Sequence, residues 1–141
     1  MRSILAALAT TAVIAAGSTT FALSAQAEIA ATTSVSGDFI KKQKSIKGSW
    51  EVVQRGDQTV IVFGENFKAK NGPDLKVFLS PQSVANVTGK TATNGAVLLG
   101  ELTSTKGVQE YVLPAGVEIS DFGSVLVHCE AYSVLWGGGD L

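Results

Sequence analysis

The sequence predicts an all-β domain, an antiparallel β-sandwich or small barrel, preceded by a cleavable signal peptide. Three observations carry this. Short runs rich in β-branched and aromatic residues recur between residues 49 and 136, a composition that fits a pleated, half-buried surface. Turn residues separate these runs at roughly the spacing of a sandwich. No window of a dozen residues keeps the i, i+3, i+4, i+7 apolar stripe of an amphipathic helix. At 141 residues and 45% hydrophobic, the chain has material for one core and a short appendage.

The appendage is N-terminal. Met1-Arg2-Ser3 gives a positive start, Ile4 to Ala16 is uncharged and apolar apart from Thr10-Thr11, and Ala25-Gln26-Ala27 is a small-x-small site. This is the order of a secretory signal peptide, with cleavage expected after Ala27. Gly17, Ser18, Thr19 and Thr20 weaken the second half as a membrane span. Residues 1–27 are therefore assigned to the signal, 28–36 to a flexible lead-in and 37–141 to the β domain. The protein is expected to be exported, to the periplasm, the cell surface or the medium, with no membrane span after cleavage.

Within the domain, Ser49–Gln54 and Thr59–Phe63 flank Arg55-Gly56-Asp57, a hairpin signal. Asn71-Gly72-Pro73-Asp74 is turn chemistry. Leu75-Lys76-Val77-Phe78-Leu79 then alternates before Ser80-Pro81 stops it. A helical turn is expected near Ser80–Val84, and short strands at Ala96–Leu99 and Val108–Leu113. The last two strands are Ser124–Cys129 and Tyr132–Trp136, and Trp50, Phe63, Phe78, Tyr111 and Trp136 are expected in or near the core.

Charge and motif arithmetic exclude several functions. With 11 Lys+Arg against 12 Asp+Glu, nothing favours neutralisation of nucleic-acid phosphates. Removing residues 1–27 takes away Arg2 and no acid, which moves the net charge from −1 to −2, and it removes the only Met. One His, one Cys and no Met then remain, too few for a blue-copper site within one chain. His128 and Cys129 are strand neighbours that point to opposite faces. No G-x-S-x-G elbow accompanies His128, so a satisfied or surface histidine is the better reading than a triad member. Arg55-Gly56-Asp57 spells an adhesion tripeptide but sits at a hairpin tip and reads first as a turn. Lys41–Lys47 is the densest charge run; it suits a solvated edge, and an acidic partner is the alternative. Gly137-Gly138-Gly139 lacks both the spacing and the following helix of a dinucleotide loop. No residue pattern identifies a cofactor or a metal site.

Four blocks in order are more specific than any single motif. Lys70-Asn71-Gly72-Pro73-Asp74-Leu75-Lys76-Val77-Phe78-Leu79-Ser80, Leu99-Gly100-Glu101-Leu102, Gly107-Val108-Gln109-Glu110-Tyr111-Val112-Leu113-Pro114 and Ser124–Cys129 resemble the DM-thirteen domain over about residues 36 to 141. Phe78 stands where Tyr is usual, His128 where an aromatic often precedes the cysteine, and Gly139 where Ala is expected in Trp136-Gly137-Gly138-Gly139-Asp140-Leu141. The resemblance implies an extracellular domain of the kind found beside DOMON domains and proposed to act in electron transfer. It makes Cys129 the redox residue; with no companion domain in the sequence, any counterpart is expected to be a separate redox or surface protein.

Read from residues alone, Cys129 stays open. Alternation groups it with Val125 and Val127, where apolar burial makes a thiol inert. A lone cysteine in an oxidising compartment, by contrast, suggests use. Two classes follow: an exported redox module working through Cys129, with Trp136 and Tyr111 as neighbours, or a non-catalytic module that binds a protein or glycan through its loops or the Lys41–Lys47 edge.

Overall fold

The computed structural model describes residues 34–141. The signal peptide expected over 1–27 and residues 28–33 of the expected lead-in lie outside the described residues. In chain order the strands are β1 (Ser36–Asp38), β2 (Ile40–Lys41), β3 (Ile46–Lys47), β4 (Ser49–Arg55), β5 (Gln58–Phe63), β6 (Lys68–Ala69), β7 (Leu75–Ser80), β8 (Val97–Glu101), β9 (Gln109–Val112), β10 (Ser124–Cys129) and β11 (Val134–Asp140). Single 3-10 turns occupy Val84–Asn86 and Ile119–Asp121. The expected helical turn is thus present but displaced past Pro81, and the lead-in already pairs at Ser36.

All pairings are antiparallel. One sheet has the order β1-β4-β5-β9, the other β2-β11-β10-β7-β8, and β3-β6 forms a separate ribbon. Side chains from both sheets fill one core, among them Trp50, Val52, Ile61 and Phe63 from the first and Leu75, Val77, Val125, Val127 and Trp136 from the second. The fold is therefore a β-sandwich, as its alternating inward faces require. Phe63 is the aromatic centre, with ring centroids 4.8 Å from Phe39, 4.8 Å from Phe67 and 5.1 Å from Tyr111.

The β4–β5 hairpin forms where its turn residues place it, with Gly56 at φ +61°. That positive φ suits a residue without Cβ. Arg55 turns away from the tip and meets Glu110 through two hydrogen bonds of 2.6 Å. The pair spans from β4 to β9, whereas β5 lies between them, and beneath it outward-facing Val60 is only 1% exposed. Arg55 is therefore a cross-sheet tie.

Strand β10 is buried at all six positions. Val125, Val127 and Cys129 face the inter-sheet core. Leu126, on the other face, joins Phe78, Val84, Val87, Ala92 and Leu135 in a second cluster. A central strand buried on both faces reads as a continuous apolar run, and here residues between β7 and β8 provide the second cover.

The last strand differs from its expected bounds. Tyr132 is 71% exposed in a turn where Ser133 has φ 52°, and the strand runs instead from Val134 through the glycines to Asp140. The register slips between Val127 and His128, so that Val127 opposes Gly137 and His128 opposes Leu135. Trp136 is left as the extra residue, a bulge that re-aims its side chain. The glycines are a matter of space. A Cβ at Gly137 would meet the Ile40 carbonyl and lie 2.7 Å from Ile46 Cγ2, and one at Gly138 would lie 2.7 Å from Leu126 Cδ2. At Gly139 it would overlap the Trp50 indole, 2.6 Å from Cδ1. Gly139, the departure from the resembled pattern, is thus where Trp50 crosses the sandwich.

Candidate functional site

Cys129 ends β10, and the chain becomes exposed at the next residue, Glu130. The thiol itself is 1% exposed and free. Its cross-strand neighbours are Leu75 on β7 and Val134 on β11. Trp136 and Tyr111 belong to the same large core cluster, which draws on both sheets.

A short polar clamp holds the turn that follows the cysteine. Glu130 N–H donates to the Asp74 carbonyl at 3.2 Å, and Ala131 N–H donates to Asp74 Oδ2 at 2.9 Å. Lys76 Nζ reaches Glu130 Oε2 at 2.5 Å and Asp74 Oδ1 at 3.3 Å. The hydrogen bond to Glu130, with a smaller contribution from Asp74, holds the Lys76 ammonium above its usual pKa against partial desolvation. The side chains of Glu130 and Asp74 are 50% and 30% exposed, so this ion pair orders the turn more than it stabilises the fold.

The same loop covers Trp136. Trp136 Nε1 donates to the Lys70 carbonyl at 2.7 Å. Gly72 lies against the ring, where a Cβ would sit 2.7 Å from Cζ2. Asn71–Asp74, legible in the sequence as a turn, therefore also caps the tryptophan beside β10 and fastens the turn beyond the thiol. That role was illegible because its partners lie about 60 positions away in the chain, as the separations of 57 and 66 for the two side-chain contacts record.

Gln109 and Tyr111 both point inward from β9. Tyr111 donates its hydroxyl to Gln109 Oε1 at 2.6 Å and accepts from Thr103 N–H at 3.0 Å. Gln109 Nε2 donates to the Ser104 carbonyl at 2.8 Å, and Oε1 accepts from Ser104 N–H at 3.1 Å. These bonds pair the backbone of the loop after β8, which gives the Gln-x-Tyr spacing a structural reason. Burial, only partly offset by Thr103, raises the Tyr111 pKa above 10.0.

His128 lies on the other face, in edge contact with Phe78 at 6.0 Å. Nε2 is 2.7 Å from the Gly89 carbonyl. A carbonyl only accepts, so Nε2 carries the proton, and Nδ1 is buried without a partner. The histidine is buried and half satisfied, and the sheet separates it from the thiol.

Leu75, the neighbour of Cys129, also lines a cleft of about 280 Å³ with Gly72, Asp74, Leu102 and Thr103. Among the described residues, no three His, Cys, Asp or Glu side chains converge on a point that could hold a metal ion. Near Cys129 the donor set is one sulfur among apolar groups, so a metal or haem would need further ligands from outside the chain. Among the described residues, no helix is long and apolar enough to cross a membrane.

Comparison with known proteins gives one finding. The family model described as Electron transfer DM13 matches residues 38–138. No curated protein and no solved structure matches the chain.

Proposed function

The chain belongs to the DM13 electron-transfer family, and on that premise we propose that it is an exported electron-transfer module working through Cys129. The observation that carries this reading is the position of the sole free thiol at the end of β10, directly before an exposed turn. The N-terminal order of charge, apolar run and small residues supports export. One thiol forms no disulfide within its chain, so the counterpart comes from a separate molecule. With a partner disulfide, Cys129 sulfur bonds to one partner sulfur, and the other leaves as a thiol that takes the Cys129 proton. Electrons balance without a further oxidant.

A second reading has one observation in its favour. The 1% exposure of Cys129 among apolar neighbours suits an inert core thiol, and the protein is then a binding module of the same family. A redox titration of the mature protein in glutathione buffer, followed by absorbance and intact mass, separates the two. The electron-transfer reading expects a reversible band or one glutathione adduct per folded chain, lost in Cys129→Ala. A colourless protein whose thiol reacts only after unfolding overturns it in favour of the binding module.

A further inference from the structure

The β3–β6 ribbon carries an unbalanced charge. Its register sets Ile46 opposite Ala69 and Lys47 opposite Lys68. Ile46 and Ala69 are buried, whereas both lysines are exposed. Lys68 also bridges Lys106 on its other side. Residues directly opposite one another share a face, so Lys47, Lys68 and Lys106 form a row across three chain segments. Alternation adds Lys70 to that face, and its N–H donates to the Ser45 carbonyl at 2.8 Å. Ser45, Lys47, Lys68 and Lys70 border a shallow cleft of about 320 Å³. Among the described residues, none of these lysines forms an ion pair; the ion pairs found join Arg55, Lys76 and their carboxylates.

Like charges set directly opposite each other destabilise a ladder. The row therefore costs stability unless an anion meets it. Strands lie about 4.8 Å apart and i, i+2 side chains about 6.8 Å apart, so the four ammonium groups stem from a platform of about 10 by 7 Å. That footprint matches a cluster of a few carboxylates on a folded protein. Its place in the fold is also informative. The Lys70 carbonyl accepts the Trp136 indole N–H, and Trp136 shares the core with Cys129.

We propose that Lys47, Lys68, Lys70 and Lys106 form the docking surface for an acidic face of a partner protein, beside Trp136. This rests on the electron-transfer reading for the partner's role, not for its binding. Clustered charge of this kind steers association and is screened by salt.

The test uses the full mature protein and a fluorescent oligo-glutamate peptide as probe, with phosphatidylglycerol vesicles as a second arm. The charge reversal Lys68→Glu, at the centre of the row, is compared with the charge-matched Lys90→Glu at an exposed site outside it. Peptide binding should weaken on the order of tenfold at low salt in the first and change little in the second. The first variant should also melt no lower than the native protein, because it relieves a like-charge row. Equal losses in both variants reduce the effect to net charge and overturn the proposal, as does absence of binding. Vesicles that hold the protein through the same lysines more tightly than the peptide overturn it in favour of a membrane surface. If Cys129→Ala binds the peptide normally while the native thiol shows no redox activity, the electron-transfer reading fails alone and the docking surface stands.

Discussion

Asp74→Ala tests whether the thiol is reached by local opening of the turn beyond it. Exposing Cys129 in this way breaks the contacts of Asp74 with Glu130 N–H and Ala131 N–H and that of Ser133 N–H with the Glu130 carbonyl. At about 1 kcal/mol net for each hydrogen bond, and about 1 kcal/mol for exposing a small apolar side chain, opening costs roughly 4 kcal/mol. Alkylation of native Cys129 should then be slower than in the unfolded chain by about 10³. Global unfolding of an ordinary domain costs 5 to 15 kcal/mol, roughly, and would protect more strongly. Asp74→Ala deletes a hydrogen bond to a charged acceptor, worth about 1.5 kcal/mol, which predicts labelling about tenfold faster. The assay is thiol alkylation followed by intact mass, in parallel with denaturant unfolding of the same variants. Labelling that tracks global stability in both proteins, or that Asp74→Ala leaves unchanged, refutes the local route.

Gly139→Ala forces a methyl into the Trp50 indole and should cost about 2–3 kcal/mol in chemical denaturation. Combined with Trp50→Leu it should cost less than the two single changes together, and additivity would refute the clash. Tyr111→Phe leaves the Thr103 amide without its partner and removes one of the two hydrogen bonds to Gln109 Oε1, and should cost about 1–3 kcal/mol. The raised Tyr111 pKa gives a stability contribution fully present below the unfolded value near 10 and lost as pH rises through the folded one; phenolate absorbance and melting curves on the alkaline side check the sign. Intact mass of exported material should show Glu28 as the first residue, and a mass that keeps residues 1–27 would convert the signal into an anchor.

Local rules were enough for the class. Period-two alternation in Leu75–Leu79 and Ser124–Cys129, and the Gly56 turn, depend on neighbours in sequence, so the long strands and the hairpin were legible. Alternation also put Cys129 with Val125 and Val127 and apart from His128. The two-residue strands β2, β3 and β6 carry no periodic signal, because they exist only where a distant strand offers unpaired backbone groups. For the same reason sequence alone ends the last strand at Trp136, before the glycine run, although that run is the tail of β11, kept bare by Ile40, Leu126 and Trp50 on other strands. The sequence by itself determined an antiparallel β domain with one apolar-faced thiol, because those properties follow from side-chain period and turn chemistry. Only the tertiary structure decided that Asp74 closes the turn beyond that thiol, that Gly139 yields to Trp50 and that four lysines share one face, because each depends on contacts between residues brought together by folding.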